Sequence, residues 1–223
     1  MISQFADTNI KTMGQFAIPQ KTIDEEIVRL CDGVRFDLDV IETVNRNKLY
    51  MTGDELRIVL NTVKGMYQGM KGLILNYASL TDHGLEVISE ALKHNGTVTK
   101  VDLSTNAFTD LGMRLLGEAL KSNRSVLTLK LGFNKLKDKT CEYLYEGLKE
   151  NSTLGQLHLE NNQLTSDGAR FLAMSLLANK STGLTHLYLD HNLIEDEGAD
   201  HLSTALRNNR SLQYMYMNNN KIT

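Results

Sequence analysis

The 223-residue chain has little excess charge, few cysteines and no long apolar run. A formal net charge of −3 argues against a dedicated nucleic-acid or anionic-membrane binder, which would carry a basic face. No apolar stretch is long enough to span a bilayer. The N-terminal MISQFADTNIKTMGQF has no apolar signal core, so an intracellular, cytoplasmic protein is expected. Cys31 and Cys141 are the only cysteines, and two distant thiols make no disulfide framework. Gly65, Gly69 and Gly72 fit neither G-x-x-x-x-G-K-[ST] nor G-x-G-x-x-G, and are expected to end a helix and make a turn. No nucleophile with an acid/base partner stands out, so no enzyme, cofactor or small-molecule substrate is expected.

What the chain does have is a repeat. Leu154 to Gly168 reads LGQLHLENNQLTSDG, the pattern L-x-x-L-x-L-x-x-N-x-L. Val126, Leu129, Leu131, Asn134 and Leu136 set the same frame 28 residues earlier. Val98, Val101, Leu103, Asn106 and Phe108 set it again. Leu184, Leu187, Leu189, Asn192 and Ile194 follow, then Leu212, Met215, Met217, Asn220 and Ile222. The first clear copy is Met70, Leu73, Leu75 and Leu80, with Ala78 in place of asparagine.

A second period lies between these strand-like frames. One column reads Leu85, Met113, Cys141, Ala169, Ala199, and another Ile88, Leu116, Leu144, Leu172, Leu202. A small-residue column reads Ala91, Ala119, Gly147, Ser175, Ala205, and a last column is all leucine, from Leu92 to Leu206. Positions i, i+3, i+6 and i+7 share a helical face, and the small column predicts close helix packing. Gly84, Gly112, Gly168 and Gly198 open most helices, with Thr140 as the exception. Two extra residues fall within Lys180 to Gly183. Each unit is thus strand, bend, helix and return loop: an α/β solenoid, curved into a horseshoe with a parallel concave sheet and convex helices.

The expected organisation is an N-terminal arm and capping helix over residues 1–33, then the repeat domain over 34–223. Thr22-Ile23-Asp24-Glu25 is a capping box opening the sealing helix. A degenerate first repeat covers 34–69, with Val34 to Leu38 as its strand, Asn45 to Lys48 as a connection and Leu56, Val59, Leu60 and Val63 as a helical stripe. Regular repeats cover 70–223. The last copy lacks a helix, so either more chain after Thr223 or another molecule is expected to cover it.

The 28-residue period, the N-x-L bend and the long convex helix resemble the ribonuclease-inhibitor-like class of leucine-rich repeat proteins. The resemblance covers roughly residues 70 to 223. It implies a protein that binds another macromolecule through its concave sheet or rim loops. The class includes ribonuclease inhibitors, the activator of the Ran GTPase, sensor arms of NOD-like receptors, and actin-capping and ciliary scaffold proteins. A protein-binding scaffold, inhibitor or sensor arm is the first expectation. A regulator of a small GTPase, or the arm of a NOD-like receptor, is the alternative.

Strand alternation assigns the concave face. Its three rows read Gly72, Lys100, Thr128, Gln156, His186, Tyr214; then Ile74, Asp102, Lys130, His158, Tyr188, Tyr216; then Asn76, Ser104, Gly132, Glu160, Asp190, Asn218. The C-terminal half gathers His158, Glu160, His186, Tyr188, Asp190, Tyr214 and Tyr216, the composition of a binding hot spot. A zinc site built from His158, Glu160, His186, Asp190 and His191 lacks a tight ligand spacing, and no metal is expected. Glu195, Asp196, Glu197 and Asp200 carry no calcium-loop pattern and suit the positive end of a helix. Cys141 sits in a core column and reads as a small hydrophobe.

Two asparagine columns are expected to be structural. Asn106, Asn134, Asn162, Asn192 and Asn220 bring an amide donor and acceptor into each bend. Asn95, Asn123, Asn151, Asn179 and Asn209 each stand two residues before a serine or threonine, a glycosylation pattern. Their recurrence once per repeat points instead to asparagine closing each helix in a left-handed conformation.

Overall fold

The computed structural model describes residues 43–45, 71–178 and 183–223. Among these described residues, seven three-residue strands form one parallel sheet in chain order: β1 (Thr43–Asn45), β2 (Gly72–Ile74), β3 (Lys100–Asp102), β4 (Thr128–Lys130), β5 (Gln156–His158), β6 (His186–Tyr188) and β7 (Tyr214–Tyr216). Between them run α1 (Asp82–His94), α2 (Asp110–Ser122), α3 (Asp138–Leu148), α4 (Ser166–Ala178) and α5 (Asp196–Leu206). Each helix packs on the next, giving one layer of helices behind one layer of strands.

Each strand is short because only three residues pair before the bend, yet the ladder extends past both ends. The amides of Thr99 and Lys100 both donate to the Lys71 carbonyl, and the arrangement recurs at Leu127, Gly155, Thr185 and Gln213. Strand residues in register are one repeat apart: Leu73 faces Val101, Leu129 faces Leu157, and Leu187 faces Met215. The core between the layers is continuous. Leu75, Leu85, Ile88, Leu103, Phe108, Met113, Leu129, Leu144, Leu157, Leu172, Leu187 and Leu202 are fully enclosed. Burying each such side chain contributes about 1.5–3 kcal/mol. At the last strand Leu212, Met215 and Met217 are only partly covered.

Three features depart from the sequence expectations. The strand bordering β2 is Thr43–Asn45, and so takes in Asn45, which the spacing assigned to a connection. Alternation favoured Val34 to Leu38. Pairing with Gly72 selects a segment 29 residues upstream (72 − 43), close to one repeat, whose Thr-Val-Asn carries no leucine signal. Val34 to Leu38, the capping box at Thr22 and the stripe from Leu56 to Val63 lie outside the described residues, as do residues 179–182 of the longer return loop. Gly72, read as part of a turn as well as the first concave position of its strand, is the first residue of β2 and so belongs to the strand.

The third departure concerns the helix ends. Asn95 (φ −95°, ψ 132°) and Asn123 (φ −67°, ψ 133°) are extended, not left-handed. Their side chains take the work instead. The Asn123 amide donates to the carbonyls of Leu92 (2.8 Å) and Asn95 (3.0 Å), while its oxygen accepts from the amides of Ser125 and Val126. Asn151 repeats this pattern toward Leu120 and Asn123. An asparagine used this way ties one return loop to the loop before it, and needs no unusual backbone.

Candidate functional site

The concave surface depends first on the bends that end each strand. Asn162 is buried, and its amide donates to the carbonyls of Leu131 (3.1 Å), Leu159 (3.1 Å) and Glu160 (3.3 Å), while its oxygen accepts from Leu136 N–H at 3.1 Å. Asn106, Asn134, Asn192 and Asn220 make the corresponding bonds to the repeat before them. The residue immediately before each of them is left-handed: Thr105, Phe133, Asn161, His191 and Asn219 all have φ between 53° and 56°, and Tyr77 before Ala78 has φ 57°. That reversal turns the next side chain inward beneath the loop, at a cost of about 1–2 kcal/mol for a non-glycine residue. Residue type varies too much in this column for the sequence to have shown it.

A third ladder escaped the sequence reading. Asp82 accepts from the Thr109 amide (2.8 Å) and hydroxyl (2.6 Å) of the next repeat. Asp138 accepts likewise from Thr165, and also from the Gly168 amide. Asp110 accepts from Lys137 N–H and from both the amide and hydroxyl of Thr140, which explains why threonine replaces glycine in that column. Asp196 accepts from Thr223, and these bonds hold its carboxyl below the usual range. The signal was available: positions 82, 110, 138 and 196 are all aspartate at the repeat spacing, with Ser166 between them.

On this frame the C-terminal concave side chains come together. The His158 and Tyr188 rings stack at 3.9 Å between centroids with 10° between planes, and Tyr188 stacks on Tyr216 at 4.7 Å and 6°. His186 stacks on Tyr214 at 4.7 Å in the neighbouring row, and lies beside Tyr188 at 6.4 Å. The cause is the register: these residues face one another across β5, β6 and β7, at a strand spacing near the contact distance of two rings. Tyr216 is 38% and Tyr214 51% exposed. Burial, then the neighbouring Tyr216 and the Glu160 carboxylate, push the Tyr188 phenol above its ordinary range, so it remains a neutral hydroxyl.

The carboxylates flank this stack differently. Glu160 lies across the space above Gly132, where a Cβ would meet its carboxylate oxygen at 2.5 Å. Its Oε2 stands 3.6 Å from His158 Nδ1, beyond good hydrogen-bonding range. Asp190 accepts from both the backbone (2.8 Å) and side-chain (2.7 Å) nitrogens of Asn218. His191 sits on the rim against Asn219 (3.0 Å). Among the described residues no three His, Cys, Asp or Glu side chains converge on a common metal position, and no helix is long and apolar enough to cross a membrane.

A family profile described as a leucine-rich repeat matches residues 94–117, 150–173 and 180–203. Together with the observed strand–bend–helix units, this makes the repeats leucine-rich repeats of the ribonuclease-inhibitor-like class. Among solved structures, actin-binding site 2 of leiomodin-1 is similar, with a TM-score of 0.54 and 24% identity over 70% of this chain and 88% of that one. A pollen receptor kinase 3 (0.48, 14%, 86% and 80%) and internalin C2 of Listeria monocytogenes (0.48, 20%, 82% and 74%) are less alike. At these identities the likeness is one of fold. No curated protein sequence matches significantly.

Proposed function

We propose that this chain is a non-enzymatic module that binds a protein partner through the C-terminal half of its concave sheet. One observation carries the reading: four half-buried to exposed rings, His158, Tyr188, Tyr216 and Tyr214, are held in register with His186 and flanked by Glu160 and Asp190. Rigid aromatic side chains lose little entropy on binding and supply large contact areas, which is why they dominate interface hot spots. Strands spaced about 4.8 Å apart make a face roughly 24 Å across six of them, enough for a standard interface of about 800 Å² per partner. Leucine-rich repeat domains generally bind proteins and are typically non-catalytic, which agrees.

The test is affinity capture with the wild-type chain beside a Tyr188→Ala, Tyr216→Ala double variant shown to be folded by circular dichroism. The variant is expected to lose a partner that the wild type retains. A partner held equally by both would move the site to the rim loops or the helices.

A further inference from the structure

The same concave patch contains an unmet chemical requirement. Glu160 Oε2 and His158 Nε2 are both buried, and neither has a hydrogen-bond partner. A carboxylate oxygen accepts, and the nearest ring nitrogen, His158 Nδ1, stands 3.6 Å from Glu160 Oε2, too far to serve as its donor. The orphaned carboxylate oxygen is thus an acceptor with no donor. What the site lacks is a donor, and beside a carboxylate the favoured donor is cationic.

Charge is segregated in the same sense. On β5, β6 and β7 and the residues that follow them, the concave rows hold Glu160 and Asp190 and no lysine or arginine. The concave lysines, Lys100 and Lys130, belong to β3 and β4; Lys130 stands in register beside His158 but makes no ion pair with Glu160. Asp190 already spends one oxygen on Asn218, which leaves Glu160 as the principal anion without a donor. Resting on the concave-face reading above, we infer that the partner contributes an arginine side chain, which packs against the edge of the His158–Tyr188–Tyr216 stack and donates to Glu160. An ammonium is a compact point donor. A guanidinium is planar, is more weakly hydrated, packs on aromatic rings and has several N–H groups in one fork, so it can lie against the rings while it donates to the carboxylate.

The probe is Nα-acetyl-arginine N-methylamide, titrated into the whole chain and read by NMR on the aromatic signals of His158, Tyr188 and Tyr216. The neutral, nearly isosteric citrulline derivative is the control ligand, and Glu160→Gln is the control protein. The expected result is a saturable shift of the His158 and Tyr188 signals with the arginine probe. That shift is expected to be lost with citrulline and in Glu160→Gln. Absence of the shift, an equal shift with citrulline, or an undiminished shift in Glu160→Gln would each overturn the inference. The citrulline comparison needs only the wild-type protein, so it holds even if the variant folds poorly. Failure here, with partner binding still lost in the tyrosine double variant, would remove arginine recognition and leave concave binding intact.

Discussion

A buried asparagine is an expensive residue unless every one of its polar groups is used. In the bends of this solenoid the amide serves carbonyls of its own strand and of the strand before it, while the oxygen receives an amide from the preceding bend. Asn162→Leu keeps the branched shape, adds some bulk and removes all of these bonds. It leaves Leu136 N–H and several carbonyls without a partner in an enclosed loop, each worth about 1–3 kcal/mol. The expected loss is about 3 kcal/mol, or roughly 6–12 °C in melting temperature for a chain of this size. An unchanged thermal midpoint would show that the amide does not hold the bend. This column was legible because one residue type recurs at the repeat spacing. The left-handed position before it was not, since Tyr77, Thr105, Phe133 and His191 have only a backbone angle in common.

At the scale of elements, the helices meet through small residues. Gly147 on α3 lies against the backbone of α2, where a Cβ would come 2.5 Å from the Gly117 carbonyl oxygen. Gly117 in turn abuts the Tyr143 carbonyl. Alanine ordinarily favours a helix over glycine by about 1 kcal/mol. Here Gly147→Ala must push two backbones apart, and overpacking costs about 1–3 kcal/mol. A net destabilisation of about 1–2 kcal/mol is expected. Gly96→Ala, in the return loop after α1, meets nothing within 4 Å and has no positive φ, so it is expected to be neutral or stabilising by about 0.5 kcal/mol. Urea midpoints of the two variants that move together would contradict this account. The small-residue column foretold the close approach at Gly147, whereas Gly117 lies outside that column and was not singled out.

At the scale of the whole molecule, each helix among the described residues packs on the next in line, while the core runs unbroken from Leu73 to Ala205. Stability in such an array is a sum of repeat and interface terms, so a central unit opens only when its neighbours give way. Cys141 sits at that centre, fully enclosed. Burial chiefly, and then Asp138 and Asp110, push its thiol well above the usual range, so the reactive thiolate is scarce at neutral pH. Maleimide labelling of Cys141 is therefore expected to be negligible in the native chain. It should rise with urea along the same curve as loss of helical circular dichroism. Rapid labelling without denaturant would mean that the middle of the solenoid opens locally.

The amino-acid sequence by itself determined the repeat, its 28-residue register, the alternation of strand and helix, the buried columns and the bend asparagines. Each of these depends on a residue's chemistry recurring at a fixed interval, and periodic burial needs no knowledge of contacts. Tertiary structure alone decided how the helix-closing asparagines are used, how the aspartates at 82, 110, 138 and 196 bind the following repeat, and which strand borders β2. It also decided that His158, Tyr188 and Tyr216 form one stack while Glu160 is left without a donor. Those outcomes depend on distances between residues about one repeat apart in sequence. Only the stacking of neighbouring strands, with its spacing and curvature, sets such distances.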